Sequence, residues 1–240
     1  VGTPSNFGTL GEKPTHPELL DYLAVTFVEK GWSIKAMHRE LMLSATYQLS
    51  SLSHPVNEQT DADNRFLWRM NRNRLDIESW RDALLAVSGQ LELKMGGPSV
   101  NLGNAENRRR TVYSKISRHD LDSLLRLFDF PDANISSDKR TETTVPQQQL
   151  FVLNSPFMLQ QARAFAARIQ KNTQLADDAA RIHHAFQLAF GRDASAREMQ
   201  ILSDYLNAAD PEETRSENTL TRWERVTQNI LASNEFLYVD

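Results

Sequence analysis

Apolar residues recur along most of this chain at intervals of three and four, the spacing of helices that bury one face. Leu19, Leu20, Leu23, Ala24, Phe27 and Val28 form the first such set. Thr15 and Glu18 precede it as a capping box, with Pro17 in the first turn and Gly31 as the stop. Ser33 opens a second helix carrying Ile34, Met37, His38, Leu41 and Ala45 on one face, and the short Gly31-Trp32 link makes the two helices neighbours. Residues 50–63 are polar and read as a loop. Asp76 caps a helix over 76–91 whose stripe is Ile77, Trp80, Leu84, Val87 and Leu91.

The period changes at RRRTVYSKI, residues 108–116. This β-branched, aromatic run predicts a strand, and its nearest partner lies around Pro98 to Leu102. A lone pair of strands makes a small ribbon at most. Helical spacing then returns over 119–128 and 145–153. Asn154-Ser155-Pro156 restarts it as far as Lys171. Further helices are predicted over 177–190, closed by Gly191, from the Ser195–Glu198 capping box to about Ala209, and over 217–233, with a linker at 211–216. The expected fold is mainly α, an irregular multi-helix bundle with at most a two-stranded β-ribbon. The whole of 1–240 is expected to form one domain, softly divided at the polar loop 131–144 into an N-terminal helical part and a C-terminal bundle.

Composition narrows the function classes. The 240 residues include no cysteine, which removes disulfides, thiolate metal sites and covalent haem attachment. A net charge of −4, with basic runs no longer than Arg108 to Arg110 or the interrupted stretch from Arg69 to Arg74, argues against a nucleic-acid platform. No apolar run approaches the ~18 residues of a membrane span. The chain begins Val1-Gly2-Thr3 and is expected to be a piece of a longer protein.

Candidate chemistry is sparse. His183 and His184 are adjacent on a helix and diverge by about 100°. There is no G-x-S-x-G and no phosphate loop. Glu78 and Asp82 share a helix face, where they form either an acid–base pair or a solvated face beside Arg74 and Arg81. Trp68, Arg69, Arg72 and Arg74 offer a basic-aromatic patch for an anionic polymer, or simply packing and ion pairing. Asp129, Asp132 and Asn134 are either turn residues or calcium ligands without the spacing of a calcium loop. In ETTVPQQQLFVLNSPF (142–157), the polar residues either bond buried loop backbone or rim a groove with Arg140, Glu142 and Gln148. A ligand site in this chain would draw on Arg69, Arg72, Glu78, Asp82, Arg108, Tyr113, Arg140, Glu142 and Gln148. No metal ligands are assigned.

The strings GEKPTHPELLDYLA (11–24), GWSIKAMHRELMLSATYQLSS (31–51), NRFLWRMNRNRLDIESWRDALLAVSG (64–89), MGGPSV (95–100), RRRTVYSKISRHDL (108–121), 142–157 and SNEFLYVD (233–240) span nearly the whole chain. Together they resemble a planctomycete-specific domain of unknown function, the C-terminal module of secreted proteins that often carry a c-type cytochrome module upstream. The resemblance implies a periplasmic or secreted location. It places haem only in an upstream module and no cofactor in this chain. The partners it implies are upstream domains of the same polypeptide. It carries no catalytic residues. Three functions follow as expectations: a non-catalytic docking module, a polysaccharide-binding or polysaccharide-degrading domain using the residues named above, and a cover for the edge of an upstream haem.

Overall fold

The computed structural model describes residues 1–6, 8–104, 106–208 and 219–239. Among them are eleven α-helices, one 3-10 turn and a ribbon of two two-residue strands, a mainly α fold as the periodicity predicts. They fall into two units, residues 1–73 and 74–239. The polar loop 131–144 lies inside the second unit.

The N-terminal unit holds α1 (Pro17–Glu29), α2 (Ile34–Leu43) and α3 (Pro55–Thr60). The first two pack as a hairpin turned by Gly31 and Trp32, both at positive φ. Trp32 sits edge-on to Phe27, with ring centroids 5.3 Å apart. Lys30 and Tyr22 both donate to the Glu40 carboxylate across the hairpin. The expected Thr15 cap is absent: His16 occupies the cap position with no side-chain bond to α1, and the Thr15 hydroxyl lies 3.0 Å from the His16 ring. Ser33 caps α2 by accepting from the Ala36 amide. Residues 50–63 are not all loop, since Pro55 starts the short α3.

Asp61 organises the stretch that follows. Its carboxylate accepts the Arg65 and Phe66 amides, and its carbonyl accepts the Trp68 indole N–H. Asn64, buried and at φ 53°, donates to the Arg69 carbonyl and to Asn71. An amide side chain that bonds locally makes the left-handed conformation accessible to a non-glycine residue.

The second unit contains the core. It comprises α4 (Ile77–Val87), α5 (Ser123–Leu127), α6 (Pro146–Asn154), α7 (Pro156–Gln170), α8 (Asp178–Phe190), α9 (Ala196–Asn207), α10 (Arg222–Leu231) and α11 (Asn234–Leu237). The predicted caps act at Asp76, Ser155 and Ser195, each accepting from an amide in the first turn of its helix, and Asp177, read from the sequence as a helical residue, caps α8 in the same way. Thr221 and Ser233 do the same for α10 and α11. Gly191, at φ 69°, ends α8 in the left-handed conformation that favours glycine. Residues 209–218, which include the predicted linker and the expected start of the last helix, lie outside the described residues.

Helix α10 runs along α7, and both join α4, α6 and α8 around Trp80, Leu84, Met158, Phe165, Ile169, Ile182, Val226 and Leu231. Two buried hydroxyls in this core bond across helices. Ser88 donates to Gln161 at 2.7 Å, and Thr227 donates to the Ala162 carbonyl at 2.8 Å. Arg168 caps the C-terminal end of α4 through the Ala86 and Val87 carbonyls.

The predicted strand at 108–116 does not form. Residues 111–113 make a 3-10 turn, and only single bridges pair Arg109 with Glu92 and Ser114 with Val100. The anticipated partner region is correct, because Val100 exchanges backbone bonds with Tyr113 and Lys115. The backbone is bent by Asp82, which accepts both the amide and the hydroxyl of Thr111 at 2.7 Å. The ribbon forms elsewhere, between β1 (Asn73–Arg74) and β2 (Tyr238–Val239).

Candidate functional site

The polar residues of 142–157 are latched from below by one arginine. Arg74, with a side chain only 8% exposed, donates to the Thr143 carbonyl at 2.5 Å and to Gln148 Oε1 at 3.2 Å. Asp129, 3.9 Å from the same guanidinium, accepts the Thr143 amide and hydroxyl at 2.9 and 2.7 Å. Asp129 takes a left-handed backbone, φ 61°, to do so. Gln148 Nε2 donates to the Leu127 carbonyl at 2.9 Å. The motif thus bonds loop backbone, the usual work of buried polar side chains.

The last residues of the fold complete the same neighbourhood. In SNEFLYV, Ser233 caps α11, Phe236 is buried, and the Leu237 carbonyl accepts the Leu75 amide at 2.8 Å. Glu235 pairs with Arg192 at 2.6 Å, and the same guanidinium binds Glu198 at 2.8 Å while lying over the Phe186 and Phe190 rings. The Arg192 guanidinium first, and the Ser195 hydroxyl and amide after it, hold the Glu198 carboxyl down to about 2. A depressed carboxylate stabilises the fold above its ordinary value of 4.5, and this contribution is lost as pH falls from about 4.5 towards about 2. Both partners are a third or more exposed, so solvent screening reduces the effect. Glu198→Gln is expected to cost about 1 kcal/mol at pH 7 and almost nothing near pH 2. Urea titrations at both pH values check this, and an equal cost at both would refute it.

Two small cavities open between these segments. One, of about 50 Å³, is lined by Arg74, Trp80, Phe128, Asp129, Arg140 and Glu142 among others. The other, of about 150 Å³, lies between Val145–Gln149 and Leu231–Tyr238 over Trp80 and Phe128. Thr144, Gln149, Asn234 and Tyr238 line it with side chains that make no hydrogen bond among the described residues.

The nine residues singled out from the sequence do not share one pocket. Arg140 clamps Glu78 with two bonds of 2.5 and 2.7 Å. Asp82 is taken up by Thr111 and, at 3.4 Å, by Arg110. Arg108 is exposed, 3.9 Å from Glu106. Tyr113 stacks under the Arg109 guanidinium at 4.1 Å and accepts the Gly96 amide. Glu142 lines the smaller cavity and Gln148 the larger. Arg69 and Arg72 belong to the N-terminal unit. There the Arg69 guanidinium lies over Trp68 at 5.0 Å, and Arg72 is engaged as well.

Glycoside hydrolysis needs two carboxyl groups facing one substrate, and the two carboxylates of α4 are each committed to a different partner. Sequence reasoning missed Arg74 and Asp129 as the latch, and Arg192 with Glu235. It also read Arg81 as part of a solvated face, whereas that residue is 2% exposed. Their partners lie far away along the chain, so no local spacing reveals them.

Comparison with protein families decides the affiliation. The model of PSD1, a protein family of unknown function (DUF1553), matches residues 1–206. This chain belongs to the PSD1 family. No curated protein and no solved structure matches it. The PSD1 match takes in the N-terminal unit, the Arg74–Asp129 latch and the 142–157 motif. It ends before α10 and α11, so the segment that carries Glu235 lies beyond it. Among the described residues of this PSD1 chain, no helix is long and apolar enough to cross a membrane.

Proposed function

We propose that this PSD1 chain is a non-catalytic helical interaction module, and that the α1–α2 hairpin is its docking part. One observation carries the reading: the hairpin leaves most of its apolar side chains exposed. Thr26 is the only buried residue of α1, and α2 has none. Leu20, Val25 and Val28 on α1 are 48, 57 and 54% exposed, and Ile34, Met42 and Leu43 on α2 are 64, 55 and 66% exposed. Exposed apolar area of this extent on paired helices marks a surface that another protein covers.

The partner is an apolar face of a further domain of the polypeptide that carries the module, outside the cytoplasm. The basis for that choice is the resemblance to planctomycete secreted proteins with an upstream cytochrome module. The polysaccharide reading has less support, because Glu78, Asp82, Arg140 and Tyr113 are occupied with one another or with backbone.

Hydrogen exchange of residues 17–43 tests the proposal, comparing the 240-residue chain with its parent polypeptide. Protection should rise at least about tenfold in the parent. The double variant Val28→Asp/Met42→Asp should abolish that rise while shifting the stability of the second unit by less than about 0.5 kcal/mol. Equal exchange in the two contexts would overturn the docking role.

A further inference from the structure

We propose that residues 117–134 form a binding site for a compact organic oxyanion, a carboxylate or phosphate ester on a small apolar body. This inference does not rest on the docking role. The segment encloses a cleft of about 340 Å³ lined by Ser117, Arg118, His119, Leu121, Arg126, Phe130, Asp132, Ala133 and Asn134. That volume falls within the range of about 300–1,000 Å³ typical of small-molecule sites.

The floor is apolar and fixed. Leu121, Phe130 and Ala133 are half-buried, and Phe130 is held from outside by the Arg140 guanidinium, 5.3 Å from its ring. The wall is tied together as well. Asn134 Nδ2 donates to the Arg118 carbonyl at 3.1 Å and to Asp132 Oδ1 at 3.0 Å, and its amide donates to the same oxygen at 2.9 Å.

The charge at the rim sets the ligand class. Most arginines of this unit are engaged: Arg74, Arg81, Arg109, Arg140, Arg168 and Arg192 all donate to carbonyls or carboxylates. The Arg118 and Arg126 guanidinium groups donate to nothing among the described residues, although both line the cleft. Asp132 opposes them. Its carboxyl lies below the usual carboxylate range because of the Asn134 amide and side chain, with Arg126 adding to the effect. Its Oδ1 is already filled by Asn134. Asp122 is turned to the Leu124 amide, and Asp120 is not in the lining. Two planar donor forks above an apolar floor match an oxyanion with a ring or short hydrocarbon attached.

The test titrates the full chain at 0.15 M salt with phenyl phosphate, benzoate, inorganic phosphate and phenol, read by amide chemical shifts. Phenyl phosphate or benzoate should bind saturably at about 1 mM or tighter, with shifts confined to 117–134. Inorganic phosphate and phenol, each carrying half of the recognition, should bind at least about tenfold more weakly. Arg118→Gln/Arg126→Gln should weaken phenyl phosphate at least about tenfold, and Phe130→Leu should weaken phenyl phosphate without affecting inorganic phosphate. No saturable shift with either aromatic anion up to about 20 mM would overturn the site. So would unchanged affinity in the arginine variant, or phenol binding as tightly as phenyl phosphate.

Discussion

Arg81→Met is expected to destabilise the second unit by about 2–4 kcal/mol. The Arg81 guanidinium is 2% exposed and donates to the Asn107 carbonyl at 2.7 Å, the Arg109 carbonyl at 3.0 Å and the Thr111 hydroxyl at 3.1 Å. No carboxylate pairs with it directly among the described residues. Burial lowers its pKa, and the charges of Asp82 and Asp122 act against that from further away. Two effects therefore compete on substitution. Methionine relieves the cost of keeping a charge out of water, but gives up the place of the guanidinium over the Phe157 ring, 5.5 Å from its centroid. Against this, three acceptors lose their donor at once, each worth about 1–3 kcal/mol where water does not replace it. The second effect is the larger because one side chain serves three groups. Urea unfolding followed by circular dichroism checks the value. Arg81→Lys should recover less than half of the loss, since one ammonium does not reproduce the planar fork. A cost below about 1 kcal/mol for Arg81→Met would mean that water replaces the guanidinium without penalty.

Trp80→Ala is expected to cost about 3–5 kcal/mol. Trp80 is 2% exposed and stacks on Phe128 at 4.9 Å and 29°, and Phe128 in turn meets Phe151 edge-on at 5.8 Å. The indole also forms part of the lining of both the 50 Å³ and the 150 Å³ cavity. Its removal adds to space that already exists, so the surroundings have little means of collapsing onto the gap. Trp80→Phe should cost about half as much, because stacking survives with less buried area. Thermal and urea unfolding of the two variants provide the comparison. Equal costs would show that a phenyl ring recovers none of the packing the indole supplies.

What could be read from the sequence tracks how local each determinant is. Asp76, Ser155 and Ser195 act within one turn of their own helices, and their caps form where the spacing places them. The stripe of Ile77, Trp80 and Leu84 is buried as its periodicity predicts. Thr15 failed as a cap because its hydroxyl turns to the neighbouring His16 ring. The strand at 108–116 had the right local character, but Arg81 and Asp82 draw in the Asn107 to Thr111 backbone from another helix and bend it into a 3-10 turn.

The candidate site was harder to read for the same reason. Arg74 meets Asp129 and Thr143 only after folding, so Gln148 and Glu142 were legible as members of a polar motif and the arginine that organises them was not. On α2, Ile34, His38 and Leu41 share one face as their spacing requires, yet all three are exposed. Periodicity reports that a face is apolar, and it does not say what covers it.

The bond from the Leu75 amide to the Leu237 carbonyl joins the first residues of the second unit to its last. A ribosome releases the two ends of that bond at opposite ends of the unit's synthesis. Trp80 and Phe128 therefore wait for their α11 neighbours until nearly all of the unit has emerged. Closure over so long a stretch is a late and slow event, one that favours chaperone protection of the unfinished bundle.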